Sequence, residues 1–61
     1  HMPIVEVKWL AGRSKEAKAR IAAKIEQAML DENVPSGATY IAFFDIDRDD
    51  FATHGKLVSQ K

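Results

Sequence analysis

The sequence has no cysteine, only two histidines, two prolines and three glycines, and no surplus of either charge. Without cysteine there is no disulfide, no thiolate metal site and no thiol nucleophile. His1 and His54 are too few and too scattered for a zinc cluster. Nine Lys and Arg residues against nine Asp and Glu leave no basic field of the kind nucleic-acid binding needs. No apolar run approaches the ~20 residues that span a bilayer, and no stretch reads as a signal peptide, so a soluble, cytoplasmic protein without membrane or nucleic-acid partners is expected. Gly-rich phosphate loops and paired-histidine metal motifs are also missing, and no histidine is placed to suggest a serine triad.

What is present is a short chain rich in apolar residues: 61 positions, 46% hydrophobic, too apolar for a disordered tail. That length allows one domain with a thin core, because a domain this small buries only about 60% of the surface its unfolded chain exposes. Such chains are stabilised by disulfides, metals or partner subunits. With the first two lacking candidates, a homo-oligomer is the expected solution.

From Pro3 to Leu10 the pattern has period two, with Val5, Val7 and Trp9 on one face and Ile4, Glu6, Lys8 and Leu10 on the other. This is a strand whose apolar side can pack on a helix. Ser14 stands where a helix N-cap belongs and Glu16 suits the positive end of the helix dipole, although the capping box is incomplete because its third position is Ala17. The spacing predicts a helix from Lys15 to about Glu32, with Ala17, Ile21, Ile25, Ala28 and Met29 as its inward stripe. Asn33-Val34-Pro35-Ser36-Gly37 supplies the stop. Thr39 to Ile46 reads as a second strand, apolar on both faces and therefore expected to be covered on both. A strand, a helix and a strand joined this way form a right-handed βαβ unit with parallel strands. One helix covers one face, so the other is expected to meet a second copy. The tail begins with Asp47-Arg48-Asp49-Asp50, a loop or helical turn, followed by Phe51 and Leu57 as isolated apolar anchors around a His54-Gly55 turn, in a short hairpin or strand that docks on a neighbour.

His1 before Met2 reads as a cloning remnant, with Met2 the natural initiator and residues 3–61 the single domain. A small residue after the initiator permits its removal, which would leave Pro3 as a free secondary amine. A secondary amine in water is mostly protonated, but an apolar pocket and nearby arginine cations both disfavour the cation. Its pKa can then fall toward neutrality, where a general base works best. While Met2 acylates it, Pro3 is an amide nitrogen with no basic lone pair.

Several elements come in order: Pro3-Ile4 opening a short apolar strand, Gly12-Arg13-Ser14 opening a helix, Pro35 before a second strand, then Phe51 and Gly55. In this the sequence resembles the 4-oxalocrotonate tautomerase family, over essentially the whole chain after Met2. The resemblance implies an α/β fold, a βαβ subunit assembled as a hexamer (a trimer of dimers), with no cofactor or metal. It implies that Pro3 moves a proton between the atoms of a 2-hydroxydienoate or related enol, that Arg13 binds a substrate carboxylate or stabilises negative charge, and that Phe51 lines the apolar pocket. The family's second active-site arginine, which comes from an adjacent subunit, falls at Tyr40. Tyrosine donates a hydrogen bond without a fixed charge, which argues for a monoacid or another enol over a dicarboxylate. Arg48 in the following loop is a candidate substitute.

Each residue also has a plainer reading. Pro3 could simply start a strand, Arg13 could be a surface residue, Phe51 an interface anchor, Tyr40 an edge residue and Arg48 part of a solvated loop. Trp9 reads as packing and His54 as a turn residue. Two alternatives to a tautomerase stay open: a proline-dependent dehalogenase or decarboxylase of small acids, and a non-catalytic oligomeric binding protein of the same fold.

Overall fold

A computed structural model describes residues 2–60; His1 and Lys61, and with them part of the cloning-remnant and domain-end expectations, lie outside the described residues. The chain runs β1 (Ile4–Leu10), α1 (Lys15–Asp31), β2 (Tyr40–Ile46), then a 3-10 turn (Arg48–Asp50), β3 (Ala52–Thr53), β4 (Lys56–Leu57) and a last 3-10 turn (Val58–Gln60). β1 and β2 pair in parallel, from Ile4 opposite Tyr40 to Leu10 opposite Ile46. Ala11 N–H extends this ladder by donating to the Ile46 carbonyl at 2.8 Å. The expected βαβ unit is therefore present, with each strand starting close to its expected position.

Local chemistry sets the helix limits. The Ser14 hydroxyl accepts from Ala17 N–H at 3.1 Å, capping the first turn. At the other end Asn33 takes a left-handed conformation (φ 68°), and the N–H groups of Asn33 and Val34 donate to the Leu30 and Met29 carbonyls, each at 3.0 Å. This is a Schellman closure, with asparagine where glycine is commonest. Pro35 to Ala38 follow as a turn closed by Ala38 N–H on the Pro35 carbonyl (3.1 Å), with Gly37 at φ 78° supplying its left-handed position. Glu26 of the helix accepts from Gly37 N–H at 3.1 Å and pins this turn to α1.

The inward stripe of α1 differs in part from expectation. Ala17, Ile21, Ile25 and Met29 are half-buried as expected, joined by Ala22, Leu30 and the long side chains of Lys18 and Glu26. Ala28 is exposed. The 17-residue helix brings pairs of adjacent positions, 17/18 through 29/30, against the sheet, and Ala28 falls just outside that band.

Val5, Val7 and Trp9 of β1, with Ile41 and Phe43 of β2, share the half-buried face. The opposite face carries Ile4, Tyr40 and Phe44, exposed by 71%, 54% and 43%. Glu6 and Lys8 lie on it too, their charges 3.5 Å apart, with the Lys8 ammonium over the Phe44 ring. Among the described residues no hydrophobic side chain is fully buried. The radius of gyration is 14.9 Å, against roughly 10–11 Å for a compact chain of this length. A lone subunit thus lacks a self-contained core, as the two-faced apolar β2 implies.

The tail forms the expected hairpin. β3 and β4 pair antiparallel around His54 (φ 54°) and Gly55 (φ 74°), two consecutive left-handed residues that make a tight turn matching strand twist. Asp47 caps the preceding 3-10 turn by accepting from Asp49 N–H (3.4 Å), and Val58 N–H closes back on the Phe51 carbonyl at 2.8 Å. No helix among the described residues is long and apolar enough to cross a membrane.

Candidate active site

Because β1 and β2 are parallel, the sheet has an amino end and a carboxyl end with different residues at each. Pro3 heads β1 at the amino end, half-buried, and its carbonyl accepts from Tyr40 N–H at 2.9 Å. This backbone bond fixes the residue that carries the candidate base. The Tyr40 side chain shares the open face with its register partner Ile4.

Arg13 lies beyond the other end of β1. At ~3.3 Å per residue the strand alone carries the chain roughly 23 Å from Pro3 to Leu10. β2 ends beside Leu10, so Arg48 and Phe51 also leave the sheet from the end remote from Pro3. Within one subunit the structure brings Tyr40 to Pro3 and keeps Arg13, Arg48 and Phe51 away from it. Phe51 is 40% exposed, and Arg48 forms no ion pair among the described residues. Those residues enclose no pocket within the lone subunit.

The carboxyl end holds an arrangement that sequence reasoning missed. Trp9 and Asp45 are register partners on the helix-facing side. Trp9 Nε1 donates to Asp45 Oδ1 at 2.6 Å, and Lys18 of α1 donates to and pairs with Asp45 Oδ2. The Trp9 ring stacks on Phe43 with centroids 5.5 Å apart, and the Arg13 guanidinium carbon lies 5.0 Å from the Trp9 ring centroid. The hydrogen bond from Lys18, then that from Trp9, hold the Asp45 carboxyl below the ordinary carboxylate value. A signal did exist in the sequence. Asp45 breaks the apolar alternation of Ile41 and Phe43, and a carboxylate at such a position calls for a cation. Lys18 next to Ala17 on the helix stripe is one.

The fold and the placement of Pro3 define the class: a small βαβ subunit with a proline at the head of its first strand and an unfilled sheet face. The chain belongs to the tautomerase enzyme family, whose sequence pattern matches residues 3–61, starting at Pro3. A homologue of 4-oxalocrotonate tautomerase is 28% identical and superposes with a TM-score of 0.89, covering 98% of this chain and 97% of its own. YwhB, another homologue of that enzyme, is 27% identical with a TM-score of 0.87 over 97% of this chain and 98% of its own. The heterohexameric 4-oxalocrotonate tautomerase from Chloroflexus aurantiacus J-10-fl shares the fold at 22% identity, TM-score 0.83, with 97% of each chain covered. No curated protein matches the sequence significantly.

Proposed function

We propose that this protein is a cofactor-independent keto–enol tautomerase of small enol acids, with the free secondary amine of Pro3 as its general base. The observation that carries this reading is the position of Pro3, held by Tyr40 N–H at the start of β1. The family match that begins at the same residue supports it. In the reaction the Pro3 nitrogen takes the proton of the enol hydroxyl. The O–H electrons form the carbonyl, the carbon–carbon double bond shifts, and the proton on Pro3 is delivered to the distal carbon, returning the neutral amine.

Negative charge on the substrate oxygen and carboxylate needs a cation, and the guanidinium of Arg13 meets it with paired N–H donors. Since Arg13 lies at the far end of its own β1, it serves the Pro3 of another subunit. Two sheets apposed antiparallel about a two-fold axis place the carboxyl end of one beside the amino end of the other. The same apposition covers Ile4, Tyr40 and Phe44. Phe51 and its hairpin then reach across to line a neighbour's pocket, with Tyr40 and Arg48 as further substrate contacts. Tyr40, lacking a fixed charge, favours a monoacid. The heterohexameric relative supports such assembly, and we take a homohexamer as the working unit.

The test compares a chain that begins at Pro3 with one that retains His1-Met2. The first is expected to turn over phenylenolpyruvate, and nitrogen NMR to show its amine titrating near neutrality. The second is expected to assemble and remain inactive. Equal turnover by both chains, or an amine fully protonated at neutral pH in the assembled protein, overturns the reading. Turnover of haloacrylates in preference to enols would favour the dehalogenase alternative.

A further inference from the structure

We propose that Trp9 is a positioning residue: its indole, clamped by Asp45 and Lys18, is the platform that holds the Arg13 guanidinium ready for an anionic substrate. The inference rests on the reading of Arg13 as the anion-binding group, and deepens it.

An arginine that recognises a carboxylate must be restrained without being neutralised. Arg13 is exposed, sits just before the helix N-cap, and has no ion-pair partner among the described residues. The restraint on its side chain is the Trp9 ring, 5.0 Å from Cζ. A guanidinium held through an aromatic face keeps its N–H donors free, whereas one held by a carboxylate has already used them. The platform is itself held by the 2.6 Å bond from Nε1 to Asp45, by Phe43 and by the register that sets Trp9 beside Asp45. The ladder bond from Ala11 to Ile46 fixes the backbone just before Gly12-Arg13.

The second half of the device is what Asp45 does not do. It is a carboxylate at the same end of the sheet as Arg13, but one oxygen takes the indole N–H and the other takes Lys18. Lys18 thereby keeps Asp45 from competing with the substrate for Arg13.

The test is a double-mutant cycle read by kcat/KM for phenylenolpyruvate in the chain beginning at Pro3. Trp9→Leu is expected to lower kcat/KM about two- to fivefold, chiefly through KM, the scale of one exposed cation–π contact. Trp9→Phe keeps a ring but loses the N–H that binds Asp45, and is expected to recover only part of the loss. In an Arg13→Ala background Trp9→Leu is expected to have almost no further effect, since its action passes through Arg13. Lys18→Met, which leaves the indole in place and frees Asp45, is expected to raise KM with kcat little changed. Fully additive losses in the cycle, or an unchanged KM in Trp9→Leu, overturn the proposal.

Calorimetric binding of phenylpyruvate to the chain that retains His1-Met2 separates this from the catalytic reading. There Arg13→Ala and Trp9→Leu should weaken binding non-additively even though Pro3 cannot act. Binding that is indifferent to Arg13, or absent, also overturns the platform. Persistence of the binding cycle without turnover in either chain would sink the Pro3 mechanism alone.

Discussion

At the carboxyl end of the sheet Trp9, Asp45, Lys18 and Arg13 hold one another through side chains, whereas at the amino end Pro3 and Tyr40 are joined through the backbone alone. The covered Thr39 hydroxyl beside them has no hydrogen-bond partner among the described residues. Ile4 and Tyr40, opposite each other, are over half exposed. One end of β1 and β2 is organised by the chain's own side chains, while the other leaves the candidate base next to open apolar surface. Under the proposed mechanism the anion-binding half is built in cis, and the proton-transfer half becomes enclosed on assembly.

The sharpest way to break this comparison is at Pro3. In a chain that starts there, Pro3→Ala replaces the secondary amine and is expected to lower kcat/KM by about 10²- to 10⁴-fold, the usual worth of a positioned general base. Sedimentation should find the oligomer unchanged, because the anchoring bond uses the residue's carbonyl and not its ring. Loss of assembly would mean that the proline is structural.

Next in size is the open face. Phe44→Asp replaces an apolar ring that burial would stabilise by roughly 1–2 kcal/mol per subunit with a carboxylate that resists desolvation. Sedimentation should show subunits or small species, with helical circular dichroism reduced, since the lone chain has no fully buried core. Retention of a full oligomer would show that partners cover some other face.

A third change probes the finished end. The Asp45 carboxyl titrates below its ordinary value because Lys18 and Trp9 bind its charged form. A depressed folded pKa means the contribution is present above the unfolded value of about 3.9 and lost as pH falls through the folded one. Asp45→Asn removes that dependence. The gap in melting temperature between the two proteins is therefore expected to be widest above roughly pH 5 and to close in strong acid. A gap independent of pH would assign Asp45 a packing role only.

How much of this was legible in the sequence follows from the range of the interactions. Ser14, the run without glycine or proline after it, and Pro35-Ser36-Gly37 act within a few residues, so the helix and its limits could be read directly. The period-two faces of both strands were equally plain, because side-chain alternation is a property of the strand itself. The parallel register was not, and with it went the pairing of Trp9 with Asp45 and the separation of Pro3 from Arg13. Pro3 and Arg13 are only ten positions apart, which invites placing them in one site, until a seven-residue extended strand is put between them. Ala28 was misplaced for a smaller reason: a five-residue stripe fits 3.6 periodicity in more than one phase.

The smallest expected effect concerns the path from α1 into the amino end, where Asn33 holds its left-handed conformation (φ 68°) while its N–H and that of Val34 close the helix. Glycine adopts this region without Cβ strain but loses more freedom on folding. Asn33→Gly is therefore expected to change stability by no more than about 0.5 kcal/mol, whereas the β-branched Asn33→Val should cost about 1–2 kcal/mol. Chemical denaturation of the assembled protein at fixed concentration measures both. If the amino end is the less organised one, Asn33→Val should also reduce the affinity of the subunits for one another. The turn from Asn33 to Gly37 delivers β2 to Tyr40, and thus sets the surface proposed to meet a partner. A loss of stability with association untouched would instead confine Asn33 to helix capping and show that the amino end is as rigid as the carboxyl end.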